Sequence, residues 1–156
     1  MLRSLFHAPR KYPEFYMEYY NQFDFYNGRK KWLKSIRKIP VKAVHLYTIH
    51  WLHIEHNNGG FDQYFFNSTS TTVPEAIEGF TAIGMPQVAE VVATAMARMG
   101  DPFPFDKLER EPLLDQENPK VTFDDLDQKF EALADTDQLF RRLPKYVPFA
   151  DKYAGY

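Results

Sequence analysis

Residues 41–60 read Val41-Lys-Ala-Val-His45-Leu-Tyr-Thr-Ile-His50-Trp-Leu-His-Ile-Glu55-His-Asn-Asn-Gly-Gly60. At about 100° per residue, Val41, Val44, Tyr47, Trp51, Leu52 and Ile54 gather on one broad face, which predicts a helix over 41–57. Glu55 projects onto the middle of that face, beside Trp51. A carboxylate there is costly unless it is hydrogen-bonded or paired, so its partners must be close. Asn58, Gly59 and Gly60 follow as a helix stop, because glycine accepts the left-handed backbone that ends helices. The chain can then turn so that residues 61–67 come back over Glu55, with Gln63 and Tyr64 in reach as donors. Glu55, Asn58, Gln63 and Asn67 are therefore expected to form a structural lock. The competing reading is a catalytic glutamate whose pKa is raised in a pocket.

Working outward, the segment from Phe61 to Asn67 is short and aromatic and predicts one or two helical turns, followed by a polar loop at residues 68–72. Thr72-Val-Pro-Glu75 fits a capping box opening a helix that runs to Ile83. Pro86 opens another helix, closed by Gly100 and Pro102. Residues 101–121 hold four prolines and predict an ordered connection with little regular structure. Thr122-Phe-Asp-Asp125 resembles a further cap, with Leu126, Phe130 and Leu133 marking the helix behind it. A last helix is expected across Leu139 to Tyr146, before an aromatic tail. On the N-terminal side, residues 12–26 place aromatics mostly at steps of three and four, which predicts a helix with an aromatic stripe ended by Asn27-Gly28. Residues 29–39 predict an amphipathic basic helix, with Trp32, Leu33, Ile36 and Ile39 on one face and the lysines on the other. Alternation of the strand type is scarce, so the expected class is all-α: one compact bundle of about six to eight helices. Residues 1–40 are expected as basic, aromatic helices packed on a core domain formed by residues 41–156.

Composition bounds the chemistry. The chain has 156 residues with 14 Phe, 10 Tyr, 2 Trp and no cysteine. Disulfides, a Cys-based zinc site, iron–sulfur ligation and a thiol nucleophile are excluded. No apolar run approaches the roughly 18 residues of a membrane span. The first residues lack the apolar stretch of a secretory signal, so a cytoplasmic protein is expected. The net charge of −2 hides a split. Residues 1–42 carry 10 Lys/Arg against 3 Asp/Glu, whereas residues 101–137 carry 12 acids against 4 bases. One reading is two solvated faces that attract each other; the other is a binding surface whose sign chooses its partner.

His45, His50, His53 and His56 are the best metal candidate in the sequence. Steps of three drift about 60° around a helix, so the rings fan out instead of converging. His53-Ile-Glu-His56 matches neither zinc-protease helix pattern. No Gly-x-Ser-x-Gly elbow, P-loop or dinucleotide glycine fingerprint occurs. The carboxylates near Asp124, Asp125 and Asp127 read as solvated charge, since an acid/base dyad needs burial to shift a pKa. No metal, no cofactor and no enzymatic activity are expected.

One stretch is specific: Glu55-His-Asn-Asn58-Gly59-Gly60-Phe61-Asp-Gln63-Tyr64-Phe65-Phe-Asn67. It resembles the hallmark Glu-x-x-Asn-Gly-Gly-Phe-x-Gln-Tyr-Phe-x-Asn of a bacterial domain-of-unknown-function family, the one that contains the DMP-type DNA-mimic protein. The likeness continues through Ala82-Ile-Gly84 and Leu126-Asp-x-x-Phe130, spanning roughly residues 41–146. The resemblance implies a small all-helical domain in which acidic side chains imitate duplex phosphates and occupy the DNA-binding face of a transcription factor. The expected function is a non-catalytic protein-binding regulator of this kind. The alternatives are a toxin-neutralising protein and an enzyme with an unfamiliar site around Glu55 and His53. The nominated contacts are Asp115, Glu117, Asp124, Asp125, Asp127 and Glu131. The expected partner is a protein, either DNA-binding or a toxin, with a homodimer as a further form; membrane association and direct nucleic-acid binding are not expected.

Overall fold

A computed structural model describes residues 10–135 and 143–156. Among them are eight α-helices and no strand: α1 (Pro13–Met17), α2 (Arg29–Ser35), α3 (Val41–Phe66), α4 (Val73–Ala82), α5 (Pro86–Met99), α6 (Lys107–Arg110), α7 (Asp124–Ala134) and α8 (Val147–Ala154). Short 3-10 turns at Tyr20–Gln22, Ser68–Thr72 and Glu111–Leu114 complete the path. The all-α bundle is as the sequence implies.

α3 is the axis. Every residue from Ala43 to Ile49 is buried, so the helix is enclosed on nearly all sides by α1, α4, α7 and α8. The single apolar face expected from periodicity is accordingly only part of the contact. Val41 is 62% exposed, while His45, Thr48, His53, Glu55 and His56 are buried. A helix wrapped by neighbours needs partners for its polar positions more than it needs an apolar stripe. α4 lies closest against it. A Cβ on Gly79 would meet Ile49 Cγ2 at 2.7 Å and the His45 carbonyl oxygen at 2.9 Å, so the two backbones touch where glycine permits it.

Several local expectations are corrected. Residues 12–26 are not one helix: after α1 and a 3-10 turn the chain extends at Phe23, with φ −70° and ψ 126°. That puts Phe23 flat on Tyr47, with ring centroids 3.8 Å apart, and buries Phe25 on the same flank. A continuous helix would have pointed these alternate residues to different sides. The capping box at Thr72 does not form. The Thr72 hydroxyl donates to the Thr69 carbonyl, and Glu75 pairs with Arg29 at 2.7 Å. α7 starts after Phe123 with no side-chain cap, so Thr122 does not cap it either. The helix expected across 139–146 falls partly on residues outside those described; from Leu143 to Tyr146 the chain is irregular, and the expected tail is α8.

In the basic N-terminal helix, Trp32 and Ile39 are buried, Ile36 packs against the core and Leu33 is 43% exposed, which corrects its inward placement. Residues 10–40 share one continuous core with the rest. The Tyr12 hydroxyl lies 2.6 Å from His50 Nδ1 and 2.7 Å from the Tyr146 hydroxyl, tying the N-terminal segment to α3 and to the entry of α8.

Candidate protein-binding face

α3 bends at Gly59 and Gly60, whose backbones are non-helical, and the second segment runs from Phe61 to Phe66. Gly60 has φ +69° and ψ −162°, a region open in practice only to glycine. The bend frees the Phe61 N–H, which donates to Asp127 Oδ1 at 2.9 Å. His56 Nε2 lies 3.0 Å from the same oxygen. Asp127 therefore clamps the two sides of the kink from α7. A Cβ at Gly60 would stand 2.7 Å from Asp127 Oδ2, so glycine is also what lets the clamp close.

A second carboxylate holds the returning segment. Glu55 Oε2 accepts from Asn67 Nδ2 at 2.7 Å and more weakly from Gln63 Nε2 at 3.4 Å, and Oε1 accepts from the Thr69 hydroxyl at 3.1 Å. The geometry thus brings Glu55, Gln63 and Asn67 together and adds Thr69. Asn58 stays exposed outside the group. Phe61 and Tyr64 are fully buried in the core, and the Tyr64 hydroxyl, pushed well above its usual pKa by burial, does not bond to Glu55. Arg110, also fully buried, fixes the far end by donating to the carbonyls of Phe65, Asn67, Pro104 and Phe105 at 2.7–3.1 Å.

Outside the kink lies a groove of about 750 Å³ lined by Asp62, Gln63, Phe66, Glu111, Asp115 and Asp124, among others. Phe66 is 45% exposed there. The Asp62 carboxyl is held above the usual range, first by partial burial and then by the charges of Asp127 and Asp124. Mutual repulsion of this kind marks a concentrated negative field. Asp115 Oδ1 also accepts the Glu117 N–H at 2.9 Å, which orders the turn before the groove wall. Glu117 and Glu131 are exposed.

Two of the nominated acids already have partners within the fold. Asp127 points into the kink with a side chain 21% exposed and is a clamp, not a free surface acid. Asp125 is gripped by Arg98 through two hydrogen bonds of 2.7 and 2.6 Å, and that guanidinium pulls its pKa down to about 2. Its charge is neutralised locally. The groove also takes in Asp62, Phe66 and Glu111, which the charge density of residues 101–137 did not single out. Asp62 and Phe66 are one helical turn apart in a segment whose buried positions are Phe61, Tyr64 and Phe65, so the outward face was readable in the motif. Glu111 carried no such signal.

The four histidines of α3 each take a separate partner. His45 Nδ1 lies 3.0 Å from the Tyr153 hydroxyl, His50 meets Tyr12, His53 Nε2 lies 3.2 Å from Asp135 Oδ1, and His56 meets Asp127. Among the described residues no group of three or more His, Asp or Glu side chains is placed to hold a metal ion. Nor is any helix among them long and apolar enough to cross a membrane.

Neither a curated protein nor a solved structure matches the chain. A family model does: residues 37–149 match DMP19-like protein, a span that contains the kink, its two inward carboxylates and the whole acidic groove. More than two thirds of the sequence lies within that span, and the chain belongs to the DMP19-like protein family.

Proposed function

We propose that the protein is a non-catalytic regulator that presents the acidic groove beside the kink to the DNA-binding surface of another protein. The observation that carries this reading is the convergence of Asp62, Glu111, Asp115 and Asp124 on one concave face built by the family motif. A surface that binds duplex DNA is lined with Lys and Arg placed to neutralise phosphates, and spaced carboxylates on a rigid wall offer it the same kind of partner. Rigidity comes from the two inward carboxylates and Arg110, which fix the wall before any partner arrives. A non-catalytic role is supported by the engagement of Glu55, His56 and Asp127 in structural hydrogen bonds.

The test is capture of a partner from cell extract, followed by competition with duplex DNA. The expected prey is a DNA-binding protein released by added duplex and by salt, since charge-led association weakens as ions screen it. Asp62→Lys together with Asp124→Lys should abolish capture, whereas Glu90→Lys, an exposed acid on α5, should not. A toxin as prey, unaffected by duplex DNA, would assign the groove to neutralisation instead. Capture that survives the double reversal would remove the groove from the interaction.

A further inference from the structure

A second concavity, of about 500 Å³, lies where the N-terminal segment meets the 3-10 turn after α3. One wall is residues 25–30; the other includes Ser68, Thr71, Phe105 and Lys107. Its chemistry is the opposite of the groove's. Arg29, Lys30, Lys107 and Arg110 line it against the single acid Asp106, in a chain whose net charge is −2. Two of those cations are committed. Arg110 is spent on four backbone carbonyls. Arg29 Nη1 binds Glu75 and the Thr71 carbonyl, with its guanidinium 4.9 Å above the Phe105 ring. Asp106 already accepts the Leu108 N–H at 2.9 Å.

The other two are lightly held. Lys30 has no partner among the described residues. Lys107 Nζ approaches Glu111 only to 3.7 Å, a loose surface pair, and stands 5.2 Å over the Phe66 ring. The Thr71 hydroxyl is buried with no hydrogen-bond partner, although Thr71 is 2% exposed and lines the cavity. Tyr26 stands at the rim, 73% exposed, with its ring against Phe25 at 4.3 Å.

We propose that this concavity binds a nucleotide, with phosphate oxygens at Lys30, Lys107 and the Ser68 hydroxyl and the base against Tyr26. Cations and a hydroxyl donor select a phosphate; a bare aromatic ligand would leave them unused. The exposed tyrosine and the aromatic floor select a planar group attached to it, since any base has a face to stack. The volume suits a small ligand. One wall, residues 25–30, lies outside the family match at residues 37–149, so the site belongs to this chain's own N-terminal segment joined to the family domain.

The test is titration calorimetry of the full chain with ADP, inorganic phosphate and adenosine. ADP is expected to bind saturably, more tightly than either fragment, and to weaken with added salt. Tyr26→Ala and Lys30→Ala, both at exposed positions, should each weaken ADP by about tenfold while leaving the urea midpoint unchanged. No saturable binding at about 1 mM ADP would overturn the proposal. So would ADP binding that ignores both substitutions, or phosphate binding as tightly as ADP, which would make the cavity an anion hole without a base site.

Discussion

Asp124 and Asp127 sit in the same turn of α7, three residues apart in one acidic run, and do opposite things. Asp124 faces water on the groove wall, while Asp127 is drawn inward to hold the kink of α3. The contrast extends to the regions around them. At the kink, carboxylates are rationed: each accepts two or three specific donors and sets backbone geometry. On the groove, carboxylates are held only locally: Asp115 accepts the Glu117 N–H and Glu111 meets Lys107 loosely at 3.7 Å. Charge in the interior is architecture, and charge on the groove wall faces water. The same residue type supplies both because what decides is the helix's rotation, not the side chain.

The sharpest way to break this distinction is at Gly60. Gly60→Ala forces an alanine into φ +69°, ψ −162° and drives its Cβ into Asp127. A loss of about 4 kcal/mol in urea unfolding is expected. A loss under about 1 kcal/mol would mean the kink is not held by the clamp. Next, Glu55→Ala should cost about 3 kcal/mol, because it strands the donors of Asn67, Gln63 and Thr69 in a buried site. Glu55→Gln should recover part of that, since an amide oxygen still accepts.

Acid separates interior from face in a third way. Burial holds the His50 pKa at about 4, below its ordinary value. A histidine depressed in the folded state takes up its proton in the unfolded chain first, so stability is intact above about pH 6.5 and falls as pH drops towards 4. The loss amounts to about 3 kcal/mol, and His50→Gln should flatten that part of a urea-midpoint profile. His45, also depressed by burial, adds to the same slope. Asp125 on the face loses its contribution in the same direction but in a lower window: held down to about 2 by Arg98, it contributes above its unfolded pKa near 4 and that contribution is lost only below it. The smallest effect is the direct comparison. Asp127→Asn should cost about 1–2 kcal/mol, because the amide can accept from Phe61 or from His56 but no longer carries charge. Asp124→Asn should stay within about 0.5 kcal/mol. Equal effects at the two positions would sink the distinction.

The kink and Glu55 were legible in the sequence because their signals are local. Periodicity turned Glu55 inward, the glycine pair announced the break, and the donors that answer Glu55 lie within 14 residues of it. The groove was half legible: Asp115 and Asp124 were named from charge density, but Asp62 was hidden by its membership of the motif. The clamp made by Asp127 was not read because its partners are 66 and 71 residues away. Yet Asp127 lies three residues before buried Phe130 and beside buried Leu126, on the border of the apolar face, and that position alone argued against treating it like Asp124. Arg110 and the Arg29–Glu75 pair had no local sign, since nothing nearby marks a guanidinium that will close a joint between distant segments.

Arg110 has a consequence for the order in which the molecule comes apart. Its guanidinium stays charged at any pH where the chain folds, so the joint it makes between residues 65–67 and 104–105 is indifferent to protons. The opposite end is fastened through His50, His45 and the Tyr12–Tyr146 contact, where imidazoles must stay neutral. Mild acid therefore loosens one end of the α3 axis and spares the other. Amide exchange followed from neutral pH towards pH 4 should show the N-terminal segment and α8 opening first, with the groove wall still closed.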